Sequence, residues 1–295
     1  MHLYKTSKGT VVRHDEKSFV IEGDWDTIIN RENLFQYLLD ATITGKIITE
    51  GQSGELIENY LLPPIGNQEV WAAGVTYLRS RDARMEESED SGAADCYSRV
   101  YEAERPELFF KSLPHRVAGH MQQVNIRKDS SWNVPEPELA LYVNSKGNIQ
   151  AYTIGNDMSS RSIEGENPLY LPQAKMYEGS AALGPCLYIP EGPIPADTTI
   201  KMNITRNGEK LFDDGTSINR MKRSLTELAR WLYLEFNFVH GCFLMTGTCV
   251  VPSNDFTLQV NDEVNIDIEG IGRLTNLVGV RVEVKDSRQL SAVIR

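Results

Sequence analysis

Cysteine is scarce in this sequence. Four cysteines are spread over 295 residues, and no two stand in the C-x-x-C spacing of a metal or redox motif. They are too few and too far apart to cross-link a chain of this length, so we expect a reducing compartment rather than a disulfide-stabilised secreted protein. Their positions are Cys96, Cys186, Cys242 and Cys249.

Long hydrophobic runs are missing as well. The most apolar stretch, residues 228–245, is interrupted by four polar side chains: Arg230, Glu235, Asn237 and His240. The segment MHLYKTSKGT at residues 1–10 lacks the apolar region of a secretory signal. The sequence therefore predicts neither membrane insertion nor secretion, and we expect a cytoplasmic protein.

Basic side chains are outnumbered by acidic ones. Thirty Lys and Arg face 41 Asp and Glu, which gives a net charge of −11 at pH 7. A field of this sign repels phosphate backbones and anionic lipid surfaces, so neither nucleic acid nor a membrane is an expected partner. The acidic excess serves solubility, or part of it binds a divalent cation.

The apolar content, 41% of residues, is enough for one large core or for a small domain attached to a larger one. Residues 10–22 predict two short strands around a polar turn, and residues 30–39 predict a helix with Asn30 at its N-cap. Residues 51–55 and 63–66 are typical of turns, and an apolar strand begins near residue 70. We therefore expect a small N-terminal α/β domain at residues 1–70 and a larger domain at residues 71–295.

The larger domain is dominated by strand patterns. The runs ELALYV and IQAYTIG flank a polar turn and predict a hairpin, and Asn207-Gly208 is typical of a second, tight hairpin turn. One helix interrupts the strands at residues 225–236, where Ser224 and Glu227 have the spacing of a capping box. The fold class predicted is α+β, mainly β, with a mixed sheet that is rolled or barrel-like.

Residues 79–95 are charged and have no apolar face wide enough to bury. Two interpretations are open for RSRDARMEESEDSGAAD: a solvated surface helix and loop, or a lid beside a binding site.

Two glutamates, Glu136 and Glu138, open the first strand of the predicted hairpin. Residues two apart on a strand point to the same face, and the partner strand ends in Asn156-Asp157, so a third carboxylate returns to the same place. On an exposed face such charges are simply solvated, whereas in a partly dry site they repel each other unless a cation is bound. Oxygen ligands without a nearby His or Cys favour Mg²⁺ or Mn²⁺ over zinc.

Six segments then follow one another in a characteristic order: PELFFK at 106–111, EPELALYV at 136–143, YTIGNDMSSR at 152–161, Lys175, ALGPCLYI at 182–189 and LMTGTCVVP at 244–252. This series resembles the fumarylacetoacetate hydrolase family over about residues 70–285. The resemblance implies a mixed β-roll and a Mg²⁺ or Mn²⁺ ion held by Glu136, Glu138 and Asp157. It also implies that the ion chelates a 2-oxo acid and stabilises its enolate.

The same resemblance suggests roles for other residues. Lys175 matches the family's active-site lysine, and Thr248 matches the residue that holds the substrate carboxylate. Lys111 and Arg161 are candidates for substrate contact or for neutralising the acidic cluster. Glu107 is a further candidate acid or base, because the other acidic groups of the site are assigned to the metal.

One departure from the family pattern bears on the reaction. Family members that hydrolyse carbon–carbon bonds carry a His and a Glu three residues apart that activate water, whereas Ser80 and Ala83 stand at those positions here. Without an imidazole, water activation lacks an evident base. Ser80 is instead a candidate substrate contact.

Two longer phrases, VTYLRSRDARMEES and SSRSIEGENPLYLPQAKMYEGS, resemble the family's branch of 2-keto-3-deoxy-D-arabinonate dehydratases. The branch implies loss of water from a five-carbon sugar acid to give 2,5-dioxopentanoate. Lys175 or Glu107 would remove the C3 proton, and the other, or Glu164, would protonate the departing hydroxyl. The alternatives are an acylpyruvate-type hydrolase, a Schiff-base reaction through Lys175 and a non-enzymatic scaffold. The family also implies at least a homodimer.

Overall fold

The structure is a computed structural model that describes residues 1–78 and 94–282. The strands are β1 (His2–Thr6), β2 (Gly9–His14), β3 (Lys17–Ile21), β4 (Lys46–Ile48), β5 (Glu69–Gly74), β6 (Glu107–Ser112), β7 (Val117–Ala118), β8 (Gln122–Ile126), β9 (Asn133–Val134), β10 (Pro137–Val143), β11 (Ile149–Asp157), β12 (Ser159–Ser160), β13 (Ala181–Tyr188), β14 (Thr199–Arg206), β15 (Glu209–Ser217), β16 (Cys242–Met245), β17 (Glu263–Ile268) and β18 (Gly272–Val280). The α-helices are α1 (Trp25–Ile29), α2 (Leu34–Thr44), α3 (Glu50–Tyr60), α4 (Ala94–Glu102), α5 (Arg161–Glu166), α6 (Leu171–Lys175) and α7 (Leu225–Leu232). Short 3₁₀ turns lie at Pro114–Arg116, Pro168–Tyr170 and Ile218–Arg220.

Two large mixed sheets make up the molecule. The first has eleven strands in the order β4-β3-β2-β1-β13-β11-β10-β16-β5-β6, with β7 paired to β13, and the second has the order β15-β14-β17-β18-β8. Most neighbours are antiparallel, but β16 pairs with β5, β7 with β13 and β8 with β18 in parallel. The predicted fold class, mainly β with a mixed β-roll, is confirmed.

Strand β10 is buried on both faces. Leu139 and Leu141 pack into a core shared with the five-stranded sheet, whereas Ala140 and Tyr142 pack into a second core on the other side. A strand that is covered on both faces usually has a nearly continuous apolar sequence, and ELALYV is such a sequence. Any charged group near its start is therefore held away from water.

The N-terminal region shares both sheet and core with the rest of the chain. Strand β1 pairs with β13, with Leu3 opposite Leu187. Leu3, Trp25 and Ile28 belong to the same buried cluster as Phe243 of β16. The division near residue 70 stays a prediction, and the contacts describe a region fused to the larger sheet rather than tethered to it.

Three local predictions are wrong. Residues 51–55 are helical, because Thr49 and Gln52 form a capping box that starts α3. The second N-terminal helix begins at Leu34, not at residue 30, and Asn30 instead uses its side chain to bind the Ser145 amide and the Val239 carbonyl. Helix α7 ends at Leu232, four residues before the predicted end. The Asn30 error comes from contacts with distant parts of the chain, whereas the capping box that starts α3 is a local signal that the turn prediction missed.

Two other predictions are confirmed. The hairpin of β10 and β11 pairs as expected, and the turn between β14 and β15 has positive φ at Asn207 and Gly208, 53° and 81°. Ser224 caps α7, although the Glu227 carboxylate binds Arg223. Residues 79–95, for which a solvated surface segment and a lid are the two interpretations, lie outside the described residues from 79 to 93. In the described part of the chain, every helix is too short or too polar to cross a bilayer.

Because β1 completes a shared sheet, we predict that the N-terminal region unfolds together with the rest. Truncating the fully buried Leu3 to Ala should lower the free energy of unfolding by about 2–5 kcal/mol. It should do so in a single urea transition, followed by tryptophan fluorescence and far-UV circular dichroism. The control Ile47→Ala, at a side chain that is 69% exposed, should change it by less than about 0.5 kcal/mol. Two separate transitions would contradict a shared core.

Candidate metal centre

Three carboxylates meet where β10 begins and β11 ends. The register places Glu138 opposite Gly155, and the Asp157 amide donates to the Glu136 carbonyl at 2.9 Å. One oxygen from each of Glu136, Glu138 and Asp157 lies within 4.8 Å of the others, and the three side chains are buried. The hairpin therefore delivers the predicted acidic group to one point inside the protein.

Basic side chains surround two of these carboxylates. Arg161 donates to one oxygen of Glu136 at 3.0 Å, and the Lys175 ammonium donates to the other at 2.8 Å. The same ammonium lies 3.3 Å from Asp157, which is also paired with Lys111. Buried charges are tolerated only when paired in this way, so these contacts explain how Glu136 and Asp157 remain in the core.

Glu138 has a different environment. The Gly247 amide donates to its carboxylate at 2.6 Å, and among the described residues no basic side chain forms an ion pair with it. Burial, followed by repulsion from Asp157 and Glu136, raises the pKa of Glu138 well above its ordinary value. A cation placed here would relieve that repulsion and favour the ionised carboxylate.

Gly247 is required at its position. Its φ is +95°, a conformation that L side chains rarely adopt, and an added Cβ would lie 2.1 Å from the Thr76 hydroxyl oxygen. Only glycine therefore lets the backbone amide reach Glu138. In the sequence, the motif Thr246-Gly247-Thr248 indicated Thr248 as a site residue. It did not indicate that the Gly247 amide binds Glu138.

The donor set fits a hard divalent cation. All three groups are carboxylates, and the cavity they line, about 20 Å³, has room for one water molecule or ion. Among the described residues at this centre, four buried carboxylates face three buried cations: the acids are Glu136, Glu138, Asp157 and Glu164, and the cations are Lys111, Lys175 and Arg161. That formal excess of one negative charge becomes one positive charge with a divalent ion, which suits an anionic ligand.

Lys111 stabilises Asp157, one of the three carboxylates. Its ammonium contacts the Asp157 carboxylate and donates to the Met158 carbonyl at 3.0 Å and the Lys175 carbonyl at 2.5 Å. Burial lowers the pKa of Lys111, and although burial alone would raise the pKa of Asp157, Lys111 and Lys175 together lower it. Three acceptors match its three N–H donors, so the geometry favours support of Asp157 over the substrate contact considered from the sequence.

Lys175 lines the cavity together with the three carboxylates. Besides Glu136 and Asp157, its ammonium donates to the Ser159 hydroxyl at 2.5 Å, and Glu164 lies 3.9 Å away. Lys175 and Glu164 are almost completely buried. Sequence reasoning overlooked Ser159, although it stands within the NDMSSR segment. Two groups able to exchange protons are thus neighbours at the centre.

The remaining predicted residues border the same cavity or lie near its wall. Thr248 and Arg161 line it with the carboxylates. Glu107 pairs with the wall residue Gly74, and a Cβ on Gly74 would lie 2.0 Å from a Glu107 carboxylate oxygen. Gly74 therefore leaves the space that Glu107 occupies. Ser80 lies outside the described residues.

We predict that Lys111→Met destabilises the metal-free protein by about 3–5 kcal/mol, because it leaves a buried carboxylate with one cation fewer. Unfolding in EDTA measures this, and added Mg²⁺ should restore part of the loss. The exposed Lys146→Met is the control and should change stability by less than about 0.5 kcal/mol. Equal stability of Lys111→Met and the unmodified protein in EDTA would show that Lys111 does not support Asp157.

Comparison with known proteins identifies relatives of this arrangement. A probable 2-keto-3-deoxyxylonate dehydratase of Haloferax volcanii is 45% identical over 223 residues, 75% of this chain and 76% of the relative. A 2-dehydro-3-deoxy-D-arabinonate dehydratase of Saccharolobus solfataricus is 36% identical over 279 residues, 91% of this chain and 92% of the relative.

Solved structures show the same similarity. A 2-keto-3-deoxy-D-arabinonate dehydratase complexed with magnesium and 2,5-dioxopentanoate matches with a TM-score of 0.81 and 31% identity, over 96% of this chain and 99% of that one. The family described as fumarylacetoacetate (FAA) hydrolase, C-terminal, matches residues 76–279. The resemblance of the ordered motifs is therefore confirmed, and the chain belongs to the fumarylacetoacetate hydrolase family.

Proposed function

We propose that this chain is a magnesium-dependent dehydratase that converts 2-keto-3-deoxy-D-arabinonate to 2,5-dioxopentanoate and water. The observation that carries the proposal is the buried set of three carboxylates beside Lys175 and Glu164. Two relatives named as dehydratases of such acids, and a solved relative that holds magnesium and 2,5-dioxopentanoate, support it.

The two relatives carry different substrate names, one from xylonate and one from arabinonate. Xylonate and arabinonate with the same configuration at C4 differ only in their configurations at C2 and C3. In the 2-keto-3-deoxy acid C2 is a ketone and C3 a methylene, so neither carbon is a stereocentre. With the same configuration at C4, both names describe one compound, and both relatives support the same substrate.

Glu136, Glu138 and Asp157 hold the Mg²⁺ ion in this proposal, and Mn²⁺ suits the same oxygen donors. When bound, the ion supplies Lewis-acid chemistry: it polarises the 2-oxo group and makes the C3 hydrogens more acidic. The chain positions the three ligands through the β10–β11 register and through the Gly247 amide on Glu138.

Thr248 and Arg161 orient the substrate carboxylate. Both line the cavity that contains the three ligands. A hydroxyl and a guanidinium on one wall can bind a carboxylate by charge-assisted hydrogen bonds. This fixes the acid end of the substrate, so that C3 and C4 extend toward the groups that exchange protons.

Lys175, Glu164 and Glu107 move the protons. Lys175 or Glu107 takes a proton from C3, and the other, or Glu164, protonates the C4 hydroxyl, which leaves as water. The product then has a double bond between C3 and C4. Loss of protons from C5 and from its hydroxyl, with one proton added at each of C3 and C4, gives the aldehyde. Glu164 lies 3.9 Å from the Lys175 ammonium. At this distance the two groups can exchange a proton, so that each regains its starting protonation state.

Carbon–carbon bond hydrolysis is the second candidate, and the site favours it less. Hydrolysis requires a base that activates water, which dehydration does not. No histidine occurs among the described residues that line the cavity, and Ser80 and Ala83 stand where hydrolases of the family carry their His and Glu. The acidic centre is costly to keep without a ligand, which argues against a non-enzymatic scaffold.

The setting of the enzyme belongs to the same proposal. We propose a cytoplasmic protein, on the basis of its sparse cysteines. We also propose a homodimer or a larger homo-oligomer, as the family resemblance implies. Size-exclusion chromatography with light scattering measures the oligomeric state.

We predict that metal removal abolishes turnover. Protein stripped with EDTA should give no 2,5-dioxopentanoate from 2-keto-3-deoxy-D-arabinonate, and added Mg²⁺ should restore the activity. An acylpyruvate, incubated in parallel, should remain intact. Chromatography of the products measures both reactions. Cleavage of the acylpyruvate without any dioxo product would replace the dehydratase with the hydrolase.

We also predict that Glu138→Gln abolishes the activity and weakens Mg²⁺ binding at least tenfold, because it removes one ligand charge. The metal-free variant should be at least as stable as the unmodified protein, because a neutral amide ends the repulsion within the triad. Calorimetric Mg²⁺ titration and urea unfolding measure the two effects. The exposed Glu209→Gln is the control. Full turnover in Glu138→Gln would mean that the metal site is elsewhere.

A further inference from the structure

One tripeptide, Met221–Lys222–Arg223, contacts both chain segments that border residues 79–93. We call these three residues the clasp. On one side, Met221 forms a β-bridge with Tyr77, and the Lys222 amide donates to the Thr76 carbonyl at 2.9 Å. On the other side, the side chains of Lys222 and Arg223 reach the end of α4. The clasp therefore joins two segments that are distant in sequence from it.

Arg223 makes the largest set of these contacts. Its guanidinium donates to the carbonyls of Ala103 at 2.6 Å, Glu104 at 2.9 Å and Val100 at 3.4 Å. Glu227, one turn along α7, accepts from it at 2.7 Å, and Arg223 is only 7% exposed. The last carbonyls of a helix have no partner within the helix, and the planar fork of an arginine can bind several of them.

Lys222 adds a second attachment to the same turn. Its ammonium donates to the Tyr101 carbonyl at 2.6 Å and lies 4.2 Å from the centre of the Tyr101 ring. It also pairs with Glu102 at 3.0 Å. The end of α4 is thus held by two neighbouring basic residues of the clasp.

The segment on the other side of the clasp forms part of the active-site wall. Val75 lines the cavity and has a φ of +53°, an unfavourable conformation for a β-branched residue. Such a conformation persists only when its surroundings impose it. Val75 packs against Val100 and Tyr101, and Thr76 donates to the Thr246 carbonyl at 2.7 Å. The clasp binds the residues that make these contacts.

Glu107 follows the turn that Arg223 holds. It lies three residues after Glu104, and its carboxylate packs against Gly74, immediately before Val75. The two positions that the clasp fixes, Glu104 and Thr76, therefore flank the Glu107–Gly74 pair. None of the contacts of the clasp involves Glu136, Glu138 or Asp157.

We propose that Arg223 is a positioning residue for the dehydration. With Lys222, it holds the end of α4 against the Val75 turn, and this keeps the Glu107 carboxylate against Gly74 of the cavity wall. The inference rests on the proposed function, because Glu107 is one of the groups assigned to proton transfer there. In this proposal the two halves of the site depend on different parts of the chain. The β10–β11 hairpin positions the carboxylates that bind the metal, and the clasp positions Glu107, which transfers protons.

The test compares Arg223→Met, Arg223→Lys and the control Arg206→Met. Arg206 makes the same kind of contacts, two to the Asp262 carboxylate and one to the Thr257 carbonyl, in the five-stranded sheet. Steady-state kinetics, Mg²⁺ titration calorimetry and hydrogen exchange are measured on each full-length protein. Arg223→Met should lower kcat at least tenfold, with KM within threefold and the Mg²⁺ Kd within twofold of the unmodified protein. Arg223→Lys should recover part of kcat, and Arg206→Met should leave it within twofold.

Exchange should become faster at residues 74–78 and 104–108 in Arg223→Met and remain unchanged at residues 137–143. A kcat within twofold of the unmodified protein, or a loss of Mg²⁺ affinity equal to the loss of kcat, would overturn the inference. If Arg223→Met does not fold, Gly74→Ala displaces Glu107 without changing the clasp and should give the same separation of kcat from Mg²⁺ affinity.

The turnover of the unmodified protein is measured first and decides the proposed function independently. If the unmodified protein shows no turnover, hydrogen exchange in Arg223→Met still tests whether Arg223 positions these segments. Unchanged exchange at residues 74–78 and 104–108 would overturn that role, and faster exchange confined to these residues would support it.

Discussion

Repulsion among Glu136, Glu138 and Asp157 is the constraint on which the rest of the site depends. Three carboxylates with oxygens within 4.8 Å of each other, away from water, destabilise the fold unless opposite charge is brought to them. The chain meets this requirement asymmetrically. Lys111, Lys175 and Arg161 pair with Glu136 and Asp157, whereas among the described residues Glu138 accepts a hydrogen bond from the Gly247 amide and forms no ion pair. The described basic side chains thus compensate part of the negative charge, and a divalent cation would compensate the rest.

The architecture makes this centre possible because β10 is covered on both faces. One face packs on the five-stranded sheet, and the other packs on the core that the N-terminal strands complete. An acidic pair at the start of such a strand is largely excluded from water by the packing on both faces of the sheet. Stability and metal binding therefore share the same residues, and the stability of the fold constrains how far the centre can change.

Periodicity made the group of three carboxylates predictable. Glu136 and Glu138 lie two apart on a strand, and Asp157 ends its hairpin partner, so local pattern alone brings them together. What local pattern could not give is the environment of each group. Asn30 ends α1 and binds a loop over a hundred residues away instead of starting α2. Ser159, Gly74 and Arg223 gain their significance from contacts between elements that only the folded chain brings together.

The pairing of β1 with β13 also has a consequence for biosynthesis. Leu3 faces Leu187, so β1 must wait for some 184 residues of further synthesis before its partner in the sheet exists. At about 5–20 residues per second, this delay amounts to roughly 10–40 s. During that time the hairpin β1–β2, with the apolar side chains of Leu3 and Val12, presents an open strand edge on the ribosome. The unpaired edge of this hairpin is therefore open to aggregation early in translation, long before Glu136, Glu138 and Asp157 have been made.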